Sequence, residues 1–411
     1  MSLNETPSAN RVHIGFFGRR NAGKSSLLNA LTGQEIAIVS ETRGTTTDPV
    51  YKAMELLPLG PVLVIDTPGI DDTGELGELR VRRAKQVLNK TDAAILVVDA
   101  ESGKEGQDGE LIRLFRAKEI PFIVAYNKGD LFPEAAAMAA AGEQAGEASI
   151  AVSAKTGEHI EALKERIALL ARSGEPKLRI AADLIGGGDF VVLVTPIDKA
   201  APKGRLILPQ QQTIRDILEA DAAAIVVKEF ELRETLEHLG KKPALVITDS
   251  QVFAKVSADT PKDIPLTSFS ILFARYKGFL SQAVRGVAAL DRLQDGDRVL
   301  ISEGCTHHRQ CDDIGRVKLP RWIKNYTNRR LEFAFSSGGD FPEELSPYKL
   351  VVHCGGCMLN EREMKYRQGC AEDQGIPITN YGILIARIQG ILKRSIAMFP
   401  HILAELEGGE S

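Results

Sequence analysis

Val12-His13-Ile14-Gly15-Phe16-Phe17-Gly18-Arg19-Arg20-Asn21-Ala22-Gly23-Lys24-Ser25 is the stretch whose reading decides the fold of the first third of this chain. Residues 12–17 are a short apolar run of strand character. They lead directly into G-x-x-x-x-G-K-[ST], and an apolar-periodic helix follows at 26–31. A loop so placed between strand and helix cradles phosphates. Its backbone N–H groups, across Asn21, Ala22, Gly23 and Ser26, can curl around a β-phosphate. Lys24 sets a cation on the β/γ oxygens, and the Ser25 hydroxyl can ligate Mg²⁺. Taken alone, this motif identifies a P-loop nucleotide-binding domain and no particular base.

The base is read further along. A strand at 62–65 ends in Asp66-Thr67-Pro68-Gly69, where Asp66 would hold Mg²⁺ through water and the Gly69 N–H would meet the γ-phosphate. After a strand at 93–98, another at 122–125 delivers Asn127-Lys128-Gly129-Asp130. The Asp130 carboxylate can accept from guanine N1–H and N2–H, an arrangement adenine does not offer. The strand 149–152 ends in Ser153-Ala154-Lys155, whose backbone would meet guanine O6. Four motifs in this order, each at a strand end, predict a domain over 1–172 that binds GTP or GDP with Mg²⁺.

Residues 11–172 resemble the translation-factor-like GTPases of the TrmE–Era group. Gly44-Thr45-Thr46-Thr47-Asp48 is similar to that group's G-T-T-R-D switch, with Thr47 where Arg usually stands. The resemblance implies Thr46 as a second Mg²⁺-ligating hydroxyl and places Lys24, Thr46 and Gly69 at the catalytic centre. Ile70 follows Gly69, so the water-orienting glutamine of Ras-like enzymes is missing. Turnover well below about 1 s⁻¹ is expected. Asn21 matches the asparagine with which TrmE-like members bind K⁺, implying K⁺ stimulation; alternatively it only tolerates the loop geometry.

Length and charge bound the rest. A chain of 411 residues suggests two to three domains, and 44% hydrophobic with 26% charged residues is the composition of an ordinary globular protein. Net charge is -4 and the pI is near 6.1, which argues mildly against nucleic acid as the main partner. The first residues lack a basic and an apolar region, and the apolar runs are too short to span a bilayer, so a cytoplasmic protein without membrane contact is expected. Ser173-Gly174-Glu175-Pro176 reads as a linker.

From 177 the pattern restarts. Strands at 190–194, 224–227 and 244–248 alternate with helices at 211–219 and 232–239, predicting a small, mainly parallel α/β unit over 177–262. Gly186-Gly187-Gly188 precedes a strand and reads as a turn. Sheet edges in so small a unit must be covered, which suits dimerisation.

All five cysteines lie at or beyond position 305, in a third segment, 266–411. It is expected to open on a long helix over 269–290. A strand at 298–302 delivers Cys305-Thr306-His307, and one at 350–352 delivers His353-Cys354-Gly355-Gly356-Cys357. Motifs at corresponding strand ends can meet in space despite the 45 residues, 308–352, between them. Three chemistries are open on residues alone. Zinc would take four of Cys305, His307, His353, Cys354 and Cys357. An iron–sulfur cluster would use the three cysteines and leave one iron to a histidine or an exogenous ligand. Cys354 and Cys357 alone would make a redox pair. Cys311 and Cys370 fall outside the pattern and read as packing residues.

C-x-H, a gap near this length, then H-C-x-x-C resembles the signature of the [FeFe]-hydrogenase maturation GTPases, the HydF family. The run Val192-Leu193-Val194-Thr195-Pro196-Ile197-Asp198-Lys199 through Pro209-Gln210 is similar to that family too. The resemblance spans nearly the whole chain. It implies an α/β GTPase domain, a dimerisation domain and a [4Fe-4S] domain, in a homodimer or higher oligomer. It implies a cluster on Cys305, Cys354 and Cys357, with His353 or His307 as further candidates. The implied partners are apo-[FeFe]-hydrogenase, which receives a diiron precursor, and two radical-SAM maturation enzymes. The competing reading is a TrmE- or Era-like RNA-associated GTPase with a structural zinc; against it, no G-x-x-G with basic flanks suggests a KH domain.

Overall fold

A computed structural model of the chain describes residues 11–33, 49–67, 86–171, 179–197, 206–304 and 313–408. Thr46, Gly69, Cys305, His307 and Cys311 lie outside the described residues, as do the 173–176 linker and the switch-like 44–48 stretch. The chain divides into two compact units, 1–175 and 176–411.

The first unit is built on six strands: β1 (Val12–Phe17), β2 (Val50–Leu56), β3 (Gly60–Asp66), β4 (Ala93–Asp99), β5 (Phe122–Asn127) and β6 (Ser149–Ala151). Their order is β2-β3-β1-β4-β5-β6. All pairings are parallel except β2 on β3. Because side chains alternate across a strand, the nearly continuous apolar runs feed two cores. Phe16, Val64, Ile95 and Val97 face the helices Lys24–Thr32 and Ile160–Ala171 through Leu27, Leu31, Leu163 and Ile167. Phe17, Ile65, Leu96 and Val98 face Gly106–Ala117 and Glu134–Gln144 through Leu111, Phe115 and Ala135. Phe115 sits between Phe17 and Phe122, with ring centroids 5.4 and 5.3 Å away. Truncating such a ring to alanine costs about 3–5 kcal/mol. Parallel strands gather their C-terminal ends on one edge, and among the described residues the P-loop, Asp66-Thr67, the N-K-x-D and the S-A-K follow those ends.

The second unit has two parallel four-stranded sheets. One comprises β7 (Phe190–Val194), β8 (Ala223–Val227), β9 (Leu245–Thr248) and β10 (Leu266–Ser268), in the order β10-β9-β7-β8. The other comprises β11 (Arg298–Glu303), β12 (Glu332–Ser337), β13 (Leu350–His353) and β14 (Ile378–Asn380), in the order β12-β11-β13-β14. A single apolar core runs through both. β10 belongs to the first sheet, so residues 260–265, where the second and third expected segments part, form a loop within it. The long helix expected over 269–290 is two helices, Phe269–Tyr276 and Leu280–Val287, because Gly278 takes φ +70° between them. β11 and β13 are direct neighbours, with Ser302 opposite His353.

Candidate functional site

The phosphate loop is held from beneath. Asn21 and Gly23 adopt positive φ, +61° and +87°, and a Cβ on Gly23 would stand 2.2 Å from the Asn127 amide nitrogen. Lys24, at the head of its helix, directs Nζ to the carbonyls of Gly18 and Arg19 at 3.0 and 2.7 Å, curled over the loop it would share with phosphates. Arg19 is committed elsewhere: it pairs with the buried Asp108 at 3.0 Å and with Glu105 at 2.5 Å. Ser25 Oγ donates to Asp66 Oδ2 at 2.6 Å, while Asp66 Oδ1 is buried without a hydrogen-bond partner among the described residues. Burial pushes the Asp66 carboxyl above its usual range, against the Ser25 hydrogen bond and the Lys24 charge. A hydroxyl and an orphaned carboxylate oxygen side by side fit a Mg²⁺ ion, which would satisfy that oxygen and relieve the burial cost.

The base motifs converge on the same edge. Asn127 ties the loops together: its amide donates to Ala22 O at 3.1 Å and its Oδ1 accepts from the Ala154 N–H at 3.0 Å. Ser153 Oγ donates to Asp130 Oδ1 at 2.6 Å, fixing the carboxylate that would read guanine. Lys128 pairs with Asp99 at 2.6 Å. A cavity of about 720 Å³ opens here, lined among others by Asn21, Gly23, Asn127, Lys128, Asp130 and Lys155. The P-loop, the N-K-x-D and the S-A-K, the first and last of them more than a hundred residues apart in sequence, therefore border one space.

In the second unit, β11 and β13 end side by side, and the Cys354–Cys357 loop follows β13. Cys354 Sγ accepts the N–H of Gly304 at 3.0 Å and that of Gly356 at 3.4 Å. Gly304 immediately precedes Cys305. Gly356 has φ +60°, and a Cβ there would lie 2.6 Å from Met364 Sδ, so only glycine closes this turn. Burial raises both thiols, Cys357 to about 11 with Cys354 adding to the shift. Two backbone N–H groups aimed at a sulfur suit a thiolate, and a coordinated metal removes the proton that burial otherwise retains. The donor set therefore fits a soft metal or an iron–sulfur group. Among the described residues no group of three or more His, Cys, Asp or Glu side chains converges on one point.

His353 is fully buried. Its Nδ1 donates to Cys354 O at 2.7 Å, which leaves Nε2 to accept from Arg367 Nη1 at 3.0 Å. Burial, with Arg367 beside it, holds the imidazole neutral, its pKa lowered to about 3. Both ring nitrogens are thus taken by protein partners, and ligation would require the ring to leave Arg367. Arg367 pairs in turn with Glu363 at 2.8 Å, both side chains at most 4% exposed, and reaches Ser302 Oγ. On the other side Lys277, 5% exposed, donates to Leu359 O at 2.6 Å and to Gly356 O. Sequence reading passes over Lys277, Glu363 and Arg367. The one signal is the Glu363-x-x-x-Arg367 spacing, which ordinarily marks a solvated helix face. Cys370 lies on the helix Glu361–Asp373, half-buried against the core.

Comparison with known proteins assigns each part of the chain. Residues 13–128 match the family of 50S ribosome-binding GTPases. Curated relatives include tRNA modification GTPase MnmE of Chromobacterium violaceum, 35% identical over 157 residues, or 38% of this chain and 34% of that one. MnmE of Desulfotalea psychrophila is 40% identical over 154 residues, 36% of this chain and 32% of that one. The chain spans about a third of the length of these relatives. Among solved structures, Aquifex aeolicus Era bound to GDP·AlF4− superposes with a TM-score of 0.36 at 23% identity, over 56% of this chain and 98% of that one. Residues 180–278 match the hydrogen maturase F dimerization domain and residues 281–398 its tetramerization domain. With a GTPase domain ahead of both, in that order, the chain belongs to the hydrogen maturase F (HydF) family.

Proposed function

We propose that this protein is a GTP-hydrolysing scaffold that holds a [4Fe-4S] cluster and delivers a diiron precursor to apo-[FeFe]-hydrogenase. The observation that carries the reading is the Gly304 N–H bond to Cys354 Sγ, which joins the residue before Cys305 to the Cys354–Cys357 loop. Cys305, Cys354 and Cys357 would hold the cluster. When bound, it would supply a loosely held fourth position at which incoming cargo can dock and later leave.

At the nucleotide site, Lys24 would neutralise the β/γ-phosphates, Ser25, Thr46 and Asp66 would hold Mg²⁺, and the Gly69 N–H would meet the γ-phosphate. Asp130 would read guanine, with Asn127, Ser153, Ala154 and Lys155 completing the base site. Asn21 would bring K⁺ beside the phosphates, supplying charge that an arginine finger gives elsewhere, and turnover would be slow. GTP hydrolysis would bias partner release. A ligand without differential affinity shifts no equilibrium, so GTP and GDP forms must bind at least one partner unequally. The edge strand β8 and the loop after it leave Val226 at 42% and Phe230 at 77% exposure, which favours a covering protomer at the dimerization segment.

The test is precursor transfer. Protein loaded with the diiron precursor in the presence of the two radical-SAM enzymes should activate apo-[FeFe]-hydrogenase, and Cys354→Ser protein should not. Equal activation by both would remove the cysteine loop from the function.

A further inference from the structure

We infer that Lys277 is a positioning residue for the metal-binding loop, holding the Cys354–Cys357 turn in shape and setting a positive charge beside its thiolates. The inference rests on the cluster reading above.

Lys277 caps the helix Phe269–Tyr276, within the segment matched to the dimerization domain, whereas the loop belongs to the tetramerization match. Its ammonium therefore crosses from one domain to the other. It donates to the carbonyls of Gly356 and Leu359, the residues that bracket Cys357 and Met358. Gly356 is bound at both ends, since its N–H points to Cys354 Sγ while its C=O accepts from Lys277. Leu359, the second anchor, packs on the other strand end: a Cβ on Gly304 would meet Leu359 Cγ at 2.7 Å. One ammonium thus fixes the turn between the two cysteines and the side chain abutting the residue before Cys305.

Shape alone does not require a charged group. The two carbonyls need a donor and not a charge, and a glutamine amide would supply donors without the desolvation penalty of a buried ammonium. A lysine is explained if the site nearby carries negative charge, as a thiolate-ligated cluster does. A cation so placed favours the more reduced, more negative form and raises the reduction potential, and its carbonyl bonds slow opening of the loop.

The experiment uses the full chain, reconstituted anaerobically, as wild type and as Lys277→Met, Lys277→Gln and Lys277→Arg. It reads iron release to a chelator and the midpoint potential by EPR-monitored titration. Lys277→Met should release iron about 10- to 100-fold faster, the range usual for loss of an outer-shell partner, and its potential should move negative. Lys277→Gln keeps donors without charge: it should retain iron better than Lys277→Met while its potential stays low. Lys277→Arg should restore both. Wild-type release and potential in Lys277→Met and Lys277→Gln would overturn the inference. If the wild type instead takes stoichiometric zinc and no sulfide, the cluster reading fails. The same chelator competition on zinc still decides for Lys277, whose role falls if Lys277→Met retains zinc as the wild type does.

Discussion

The nucleotide site is shaped by residues that lie inside short contiguous motifs, while the cysteine loop is held by side chains from outside its own motif. At the first, Asn127 of N-K-x-D braces Ala22 of the P-loop and Ala154 of S-A-K, so the motifs support one another. At the second, Lys277 and Arg367 belong to no motif, yet they grip the carbonyls and the imidazole that surround the cysteines. The difference follows from chemistry. Phosphates are bound by backbone N–H groups that any P-loop presents. Buried thiolates need their charge and geometry arranged by a surrounding shell.

The largest effect that would break this comparison is expected at Arg367. Arg367→Met leaves Glu363 buried without its partner, at a cost of about 3–5 kcal/mol. Denaturant unfolding should show the loss in the second unit, with nucleotide affinity retained. An unfolding curve like the wild type's would mean that the pair contributes little to the loop's support. Next comes Asp130→Asn. Losing a charged hydrogen-bond acceptor for guanine should weaken GTP by about 1.5–3 kcal/mol and favour xanthosine triphosphate; unaltered base preference in a competition assay would remove Asp130 from the base site. A smaller change is expected on exchanging K⁺ for Na⁺, which should slow phosphate release if Asn21 holds a monovalent cation, and equal rates would reduce Asn21 to a loop residue. Cys311→Ser should change iron content least of all. A loss matching that of Cys354→Ser would mean the proposed ligand set is wrong.

How far each region can be read from sequence follows the same division. β4 and β7 are all but continuous apolar runs and stand where their pattern puts them, because buried parallel strands leave an unmistakable signature. The nucleotide motifs declare themselves through fixed spacing at strand ends. Glu363 and Arg367, in contrast, have the i, i+4 spacing of an exposed ion pair and are almost wholly buried. Only the reach of Arg367 to Ser302 on β11 and His353 on β13 decides that, and no local pattern encodes it. Lys277 is similarly silent, a basic residue at a helix end where the dipole alone would welcome one. Gly278 breaks the helix, but the apolar periodicity on both sides of it masks the break in the sequence.

The central claim is that this chain pairs a GTP site with an iron–sulfur site, and metal content tests it most directly. After anaerobic purification and reconstitution, iron and sulfide are assayed and an EPR spectrum is recorded on the dithionite-reduced protein. About four irons and four sulfides per chain, with a fast-relaxing S = 1/2 signal, are predicted. Stoichiometric zinc without sulfide, persisting through reconstitution, would contradict the account.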